Sequence, residues 1–91
     1  MKRYAANPVV SLREESGGAL LYNPDLDDVV LINETGRMIW ETIVQPQTAT
    51  EIAAYIEANT KDAENVLADV ESFIESLLPD FVILYDEADA K

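Results

Sequence analysis

Residues 18–40, GALLYNPDLDDVVLINETGRMIW, constrain the fold of this chain more than any other stretch. Two apolar runs, residues 19–22 and 29–32, flank an Asn-Pro-Asp turn signal, since proline presets φ and Asn and Asp tolerate turn geometry. Asn33 then offers a side-chain oxygen that caps a helix, and Glu34 suits the first turn of that helix. The stretch therefore predicts two antiparallel strands that lead directly into a helix.

A further strand is expected at residues 9–14, before this stretch. Val10 and Leu12 fall on one face of it, and polar residues alternate with them. The glycine-containing turn at residues 16–18 joins it to the next strand as a hairpin. Residues 1–7 are expected to be a frayed terminus.

Three helices are expected after the strands. The first ends near Pro46, because proline disfavours helix at the preceding residue. The second begins with a capping box at residues 48–51 and ends at residues 59–60. The third begins near Asp62 and carries an apolar stripe at helical spacing. That stripe consists of Val66, Leu67, Val70, Phe73, Ile74, Leu77 and Leu78. A short strand at residues 81–85 follows.

The order of these elements predicts an α+β fold: an N-terminal three-stranded antiparallel sheet, three helices and a short C-terminal strand. The second and third helices have the lengths of a helix-turn-helix, and the flanking strands make it winged. The 91 residues are expected to form a single domain. Its ordered core covers about residues 8–85, with tails at residues 1–7 and 86–91.

The composition argues against catalysis. The chain has no cysteine and no histidine, so the thiolate ligand, the disulfide and the usual general base are all missing. Glu14, Glu15, Asp27 and Asp28 are interpreted as solvated turn charges, because a small domain rarely encloses a cleft that separates the pKa values of paired carboxylates. A calcium site at the Asp25 turn is disfavoured because the EF-hand pattern is missing. We therefore expect no enzyme activity, no cofactor and no metal.

The net charge of -12 disfavours phosphate backbones and anionic membranes and favours a basic partner, such as a cationic peptide. The alternative is that the charge only keeps the domain soluble. The third helix carries Glu64, Asp69, Glu71 and Glu75, so nucleic acid is not an expected ligand. No run of 18 apolar residues is present, and the first residues lack a signal-peptide core. A cytoplasmic location away from membranes is expected.

The strand at residues 28–32 is the best candidate for a binding edge. It is apolar on both faces, so both faces are expected to be covered. One face meets the core, and the other packs on the stripe of the third helix and leaves an apolar groove. An extended peptide adds to such an open edge as one more strand. The alternative is that Val29 and Leu31 are simply core.

Several of these segments together resemble the PqqD-like family, the small peptide-binding domains also called RiPP recognition elements. The resemblance is carried by LLYNP at 20–24, LINETG at 31–36 before Ile39-Trp40, Thr50-Glu51-Ile52, Asp69-Val70, Phe73-Ile74 and Leu77. It extends from about Pro8 to Phe81. Residues 44–47 depart from it where the family often has Asp-Gly, and residues 78–80 depart where it often has Gly.

The resemblance implies a winged helix-turn-helix that binds the leader of a ribosomally made precursor peptide along its third strand, against its third helix. The family's namesake, pyrroloquinoline quinone biosynthesis protein D, presents such a peptide to a radical S-adenosylmethionine enzyme. When the family's binding site is transferred to the matching positions of this chain, the implied peptide-binding residues are Val29, Leu31, Val66, Leu67, Val70 and Phe73. Ile32, Ile39 and Ile56 are implied to be core. On this assignment, Val70→Asp abolishes binding without unfolding the domain.

Two other classes of function stay open at this point. One is a winged-helix regulatory module that acts through protein contacts and does not bind DNA. The other is an oligomerisation module, because an open strand edge also pairs with a second copy of itself. The expected oligomeric state is a monomer or a weak homodimer.

Overall fold

The computed structural model describes residues 1–60 and 64–86. The elements in chain order are β1 (Lys2–Ala6), β2 (Ser11–Glu15), β3 (Gly18–Asn23), β4 (Asp28–Asn33), α1 (Glu34–Thr42), α2 (Ala49–Asn59), α3 (Val66–Leu77) and β5 (Val82–Asp86). The protein is therefore an α+β protein, and the predicted order of three strands, three helices and a last strand is confirmed from β2 onward.

Strands β2, β3 and β4 form an antiparallel sheet in that order. Its inner face is built by alternate residues, because successive side chains of a strand point to opposite faces. Leu21 of β3 lies between Leu12 of β2 and Val30 of β4, and the neighbouring Ala19 pairs with Ile32. Leu21, Ala19 and Ile32 are buried, and this face packs on the helices.

The helices bury one stripe each against this sheet and against one another. The buried side chains of the helices, with Ile43 directly after α1, are Ile39, Trp40, Ile43, Ile52, Ala53, Ile56, Val66, Val70, Ile74 and Leu77. Full burial of one such aliphatic side chain contributes roughly 1.5–3 kcal/mol, so this cluster is the main source of stability in so small a domain.

Local capping signals set where α1 and α2 begin. The Asn33 side chain accepts a hydrogen bond from the Gly36 backbone N–H at 2.8 Å, as predicted for a helix cap. Thr48 Oγ1 accepts from the Glu51 N–H at 3.1 Å, and Glu51 Oε1 accepts from the Thr48 N–H at 2.9 Å. The predicted capping box is therefore confirmed.

The expectation of a frayed terminus at residues 1–7 is wrong. Residues Lys2–Ala6 form β1, which pairs antiparallel with β5, and Ala5 is buried. On its other side β1 bonds to the segment after α1: the Tyr4 N–H donates to the Gln47 carbonyl at 2.7 Å, and the Ala6 N–H donates to the Ile43 carbonyl at 2.8 Å. Because β5 and the segment after α1 are both remote from β1 in sequence, no local sequence pattern predicts β1.

Two helix boundaries differ from the prediction. Helix α1 ends at Thr42, before Pro46, since Ile43 leaves the helix and its carbonyl bonds to β1. Helix α3 begins at Val66, preceded by Asn65 in a left-handed conformation with φ 55°. The predicted start, Asp62, lies outside the described residues. Within the described ranges, no helix combines the length and the apolar content needed to cross a bilayer.

Candidate functional site

The two edges of the three-stranded sheet differ in chemistry. Strand β2 carries the charged residues 13–15 at one edge, which discourage the pairing of another strand. Strand β4 forms the opposite edge, and its middle residues Val29 and Leu31 are 48% and 73% exposed. The β4 edge therefore lacks charge along its centre and is open to a further strand.

The expectation that both faces of β4 are covered is wrong for the isolated domain. Val30 and Ile32 turn toward the core, whereas Val29 and Leu31 lie on the outer face. The cross-strand neighbours of these outer residues on β3 are Tyr22 and Leu20. The outer face of the sheet is exposed because helices pack against its inner face only. Apolar cross-strand pairs therefore lie on this exposed face, next to the open edge.

Two adjoining cavities lie between α1 and α3. The first, of about 160 Å³, is lined by Thr35, Ile39, Ile56, Thr60, Glu64, Val66, Asp69 and Val70. The second, of about 220 Å³, is lined by Asn33, Thr35, Gly36, Ile39, Asp69 and Phe73. Both are lined by Thr35, Ile39 and Asp69, so we treat them as one depression, the α1–α3 cleft. Because Asn33 is the last residue of β4, the cleft begins where the open strand ends.

Phe73 connects the cleft to the end of β4. A Cβ placed on Gly36 would lie 2.7 Å from Phe73 Cε1 and 3.1 Å from Ile32 Cβ. The aromatic ring therefore packs on the first turn of α1, beside the last residues of β4. Gly36 leaves the room for this contact, and the Asn33 cap holds Gly36 in place.

The structure distributes the predicted peptide-binding residues over three places. Val66 and Val70 are buried in the floor of the cleft, and the half-buried Phe73 lines the end of the cleft next to β4. Leu67 is 42% exposed on α3 and belongs to neither cavity lining. Val29 and Leu31 lie on the outer face of β4, also outside both linings.

Burial also changes the interpretation of individual positions. Val70 is 1% exposed, so it is a core residue that touches the cleft, and Val70→Asp cannot separate binding from folding. Ile32, Ile39 and Ile56 are buried, as predicted for core residues. The sequence analysis did not single out Thr35 as a cleft residue, because a polar residue in the first turn of a helix carries no special signal.

Two hydrogen bonds within the β3–β4 turn involve its acidic residues. The Tyr22 hydroxyl donates to Asp27 Oδ1 at 3.1 Å, and this hydrogen bond, together with the negative charge of Asp27, raises the pKa of Tyr22. The Asp25 N–H donates to Asn23 Oδ1 at 2.9 Å. No group of three carboxylates suited to hold a metal ion occurs in the part of the chain that the structure describes.

Comparison with known proteins identifies the family. Residues 18–80 match the family described as coenzyme PQQ synthesis protein D (PqqD), so the chain belongs to the PqqD family and the predicted resemblance is confirmed. No curated protein matches the chain significantly.

A solved structure with the same fold is TbiB1 in complex with the TbiA(beta) leader peptide. It superposes with a TM-score of 0.72 at 18% sequence identity and covers 93% of this chain and 99% of that one. At this level of identity the match shows a shared fold, and the leader peptide is a ligand of TbiB1.

Proposed function

We propose that this domain is a non-enzymatic recognition element that binds the leader of a ribosomally made precursor peptide and holds it for a modifying enzyme. The observation that carries the proposal is an open β4 edge, without charge at its centre, that leads into a cleft with an apolar floor. Membership of the PqqD family supports it, and so does the shared fold with a protein solved with a leader peptide.

In this proposal the peptide adds to β4 as a fourth strand of the sheet. The free backbone N–H and C=O groups of the edge supply affinity, and pockets for alternate side chains supply specificity. Val29 and Leu31 flank peptide side chains on the outer face, as cross-strand neighbours do in an antiparallel pair. Phe73 and Leu67, an exposed residue outside the cleft lining, contact the peptide from α3. Val66 and Val70 contribute the floor of the cleft.

The wider setting is also part of the proposal. The partner is a modifying enzyme, for which the radical S-adenosylmethionine class and PQQ biosynthesis are suggested by the family. The cytoplasm suits this role, because ribosomal precursors are made there.

We describe the fold, as part of this proposal, as a winged helix-turn-helix in which α2 packs on α3 and strands flank the pair. The acidic exposed face of α3 makes it a poor DNA-reading helix.

The experiment that tests the proposal is an NMR titration of the ¹⁵N-labelled domain with leader peptides encoded beside its gene. We expect chemical-shift changes in β4 and in the cleft residues Thr35, Asp69 and Phe73. Changes confined to β5, which exposes Leu84 and Tyr85, would move the site to the other small sheet. No change at near-millimolar peptide would contradict the proposal and favour the regulatory alternative.

A further inference from the structure

The α1–α3 cleft has an apolar floor and an acidic rim. Ile39, Ile56 and Val70 form the floor, whereas the carboxylates of Asp69 and Glu64 lie among the lining residues. Asp69 is exposed and lines both cavities, so it lies on the part of the rim that the two cavities share. Neither lining contains a lysine or an arginine from the described residues.

The arginines that the structure describes are paired with carboxylates away from this cleft. Arg37 contacts Glu14 at 2.6 Å, and Arg13 contacts Glu15 at 3.1 Å. Arg3 contacts Glu51 at 3.1 Å, at the start of α2. Among the described residues, no such salt bridge involves Asp69.

A lysine or arginine side chain matches both features of the cleft. Such side chains lay an aliphatic stem on apolar surface and keep the charged head at the edge, in water or against a carboxylate. An aliphatic side chain would fill the floor but leave the acidic rim without a partner. A glutamate would be repelled by Asp69 and Glu64.

We propose that the peptide recognised here carries a lysine or arginine that enters the α1–α3 cleft and pairs with Asp69, which makes Asp69 a specificity-determining residue. This inference rests on the proposed function, since it concerns the peptide that lies along β4. It defines the ligand as an extended segment with apolar alternate positions and one basic side chain near the end of the strand.

The test uses labelled synthetic peptides in fluorescence polarisation. All share one alternating Val/Thr core with soluble Ser-Gly flanks, and Lys, Gln or Glu replaces each Thr in turn, so the register need not be known. We expect the domain to prefer Lys over Gln by about fivefold at one core position, the upper range for a solvent-accessible ion pair, and to bind Glu more weakly. The preference should shrink at high salt.

Two variants of equal charge change separate specificity from general electrostatics. Asp69→Asn should remove the preference for Lys at that position, whereas Glu75→Gln, at an exposed site of α3 outside the cleft, should preserve it. Asp69 also lies in the first turn of α3, where a carboxylate stabilises the helix. Loss of this helix stabilisation in Asp69→Asn changes the unfolding midpoint of the domain, but by itself it does not change the order in which the domain prefers the Lys, Gln and Glu peptides.

The possible outcomes distinguish this inference from the proposed function. Equal binding of the Lys, Gln and Glu peptides, or an equal response of both variants, would overturn the role of Asp69 while strand addition at β4 stands. Failure of every peptide, including the encoded leaders, to shift β4 resonances would reject the strand-addition site and this inference with it. A Lys preference lost only in Asp69→Asn supports the inference.

Discussion

Phe73 of α3 rests directly on Gly36 of α1, with only 2.7 Å between its Cε1 and the position that a Cβ on Gly36 would occupy. This contact joins the third helix to the first turn of α1 and, through Ile32, to the end of β4. It places an aromatic side chain at the point where the open strand meets the cleft. The side chain that occupies position 36 therefore affects packing and the shape of the site together.

Gly36→Ala should displace the Phe73 ring. Overpacking of a core costs about 1–3 kcal/mol, whereas alanine in place of glycine in a helix returns up to about 1 kcal/mol, so a net loss of about 1 kcal/mol in unfolding free energy is expected. Urea denaturation measures it. Phe73→Leu in the same background should relieve the clash, and strictly additive effects in this double-mutant cycle would show that the two residues do not interact.

Val70→Asp should unfold the domain. Val70 is 1% exposed in the core, and a buried carboxylate without a partner costs several kcal/mol, which is comparable to the whole stability of a small domain. Circular dichroism and a loss of NMR dispersion report the result. The control is Leu67→Asp, at a 42% exposed position of the same helix, which should leave the spectrum native. A folded Val70→Asp would show that this position opens to solvent.

The sequence predicts those parts of this fold that are formed by residues close together in the chain. The Asn33 cap, the Thr48 capping box and the strand-turn-strand of β3 and β4 involve residues a few positions apart, and all are observed. Strand β1 was missed because its partner, β5, lies at the other end of the chain and Lys2–Ala6 shows no clear alternation. The start of α3 was misplaced because Asn65 adopts a left-handed conformation, which asparagine tolerates but does not require.

The candidate site was predictable only in part for a similar reason. The doubly apolar sequence of β4 indicated an unusual strand, but sequence alone does not show whether its second face meets a helix or remains exposed. The structure shows that Leu31 is exposed and that Val70 is core. Asp69 appeared in the sequence as one of several acidic residues of α3, and only the packing of α1 on that side shows that it lies on the rim of the cleft.

The contribution of Glu51 to stability should depend on pH. A hydrogen bond from the Thr48 backbone N–H, together with the positive charge of Arg3, lowers the pKa of Glu51 below its ordinary value of 4.5. A carboxyl whose pKa is lowered by folding stabilises the protein above the unfolded pKa, and the contribution disappears as the pH falls through the folded pKa. Glu51→Gln should therefore destabilise the domain at pH 7 and have less effect as the pH falls below 4.5.

Thermal unfolding across this pH range measures the effect. Glu57→Gln is the matched control, since Glu57 is an exposed residue of the same helix. The comparison separates the loss of the Thr48 hydrogen bond from the general effect of removing one negative charge from α2. If Glu51→Gln is equally destabilising at pH 7 and pH 3, the charge of Glu51 is not what stabilises the start of α2.

Leu31→Asp should abolish peptide binding without unfolding the domain. Leu31 is 73% exposed at the centre of the β4 edge, so the substitution breaks no core contact, but a charge on an edge strand discourages pairing and removes an apolar neighbour of the peptide. Binding of the encoded leader should weaken by about tenfold or more, as measured by isothermal titration calorimetry. Val44→Asp is the matched control, because Val44 is 74% exposed but lies beyond the end of α1. Equal losses in the two variants would mean that added negative charge, and not the β4 edge, controls binding.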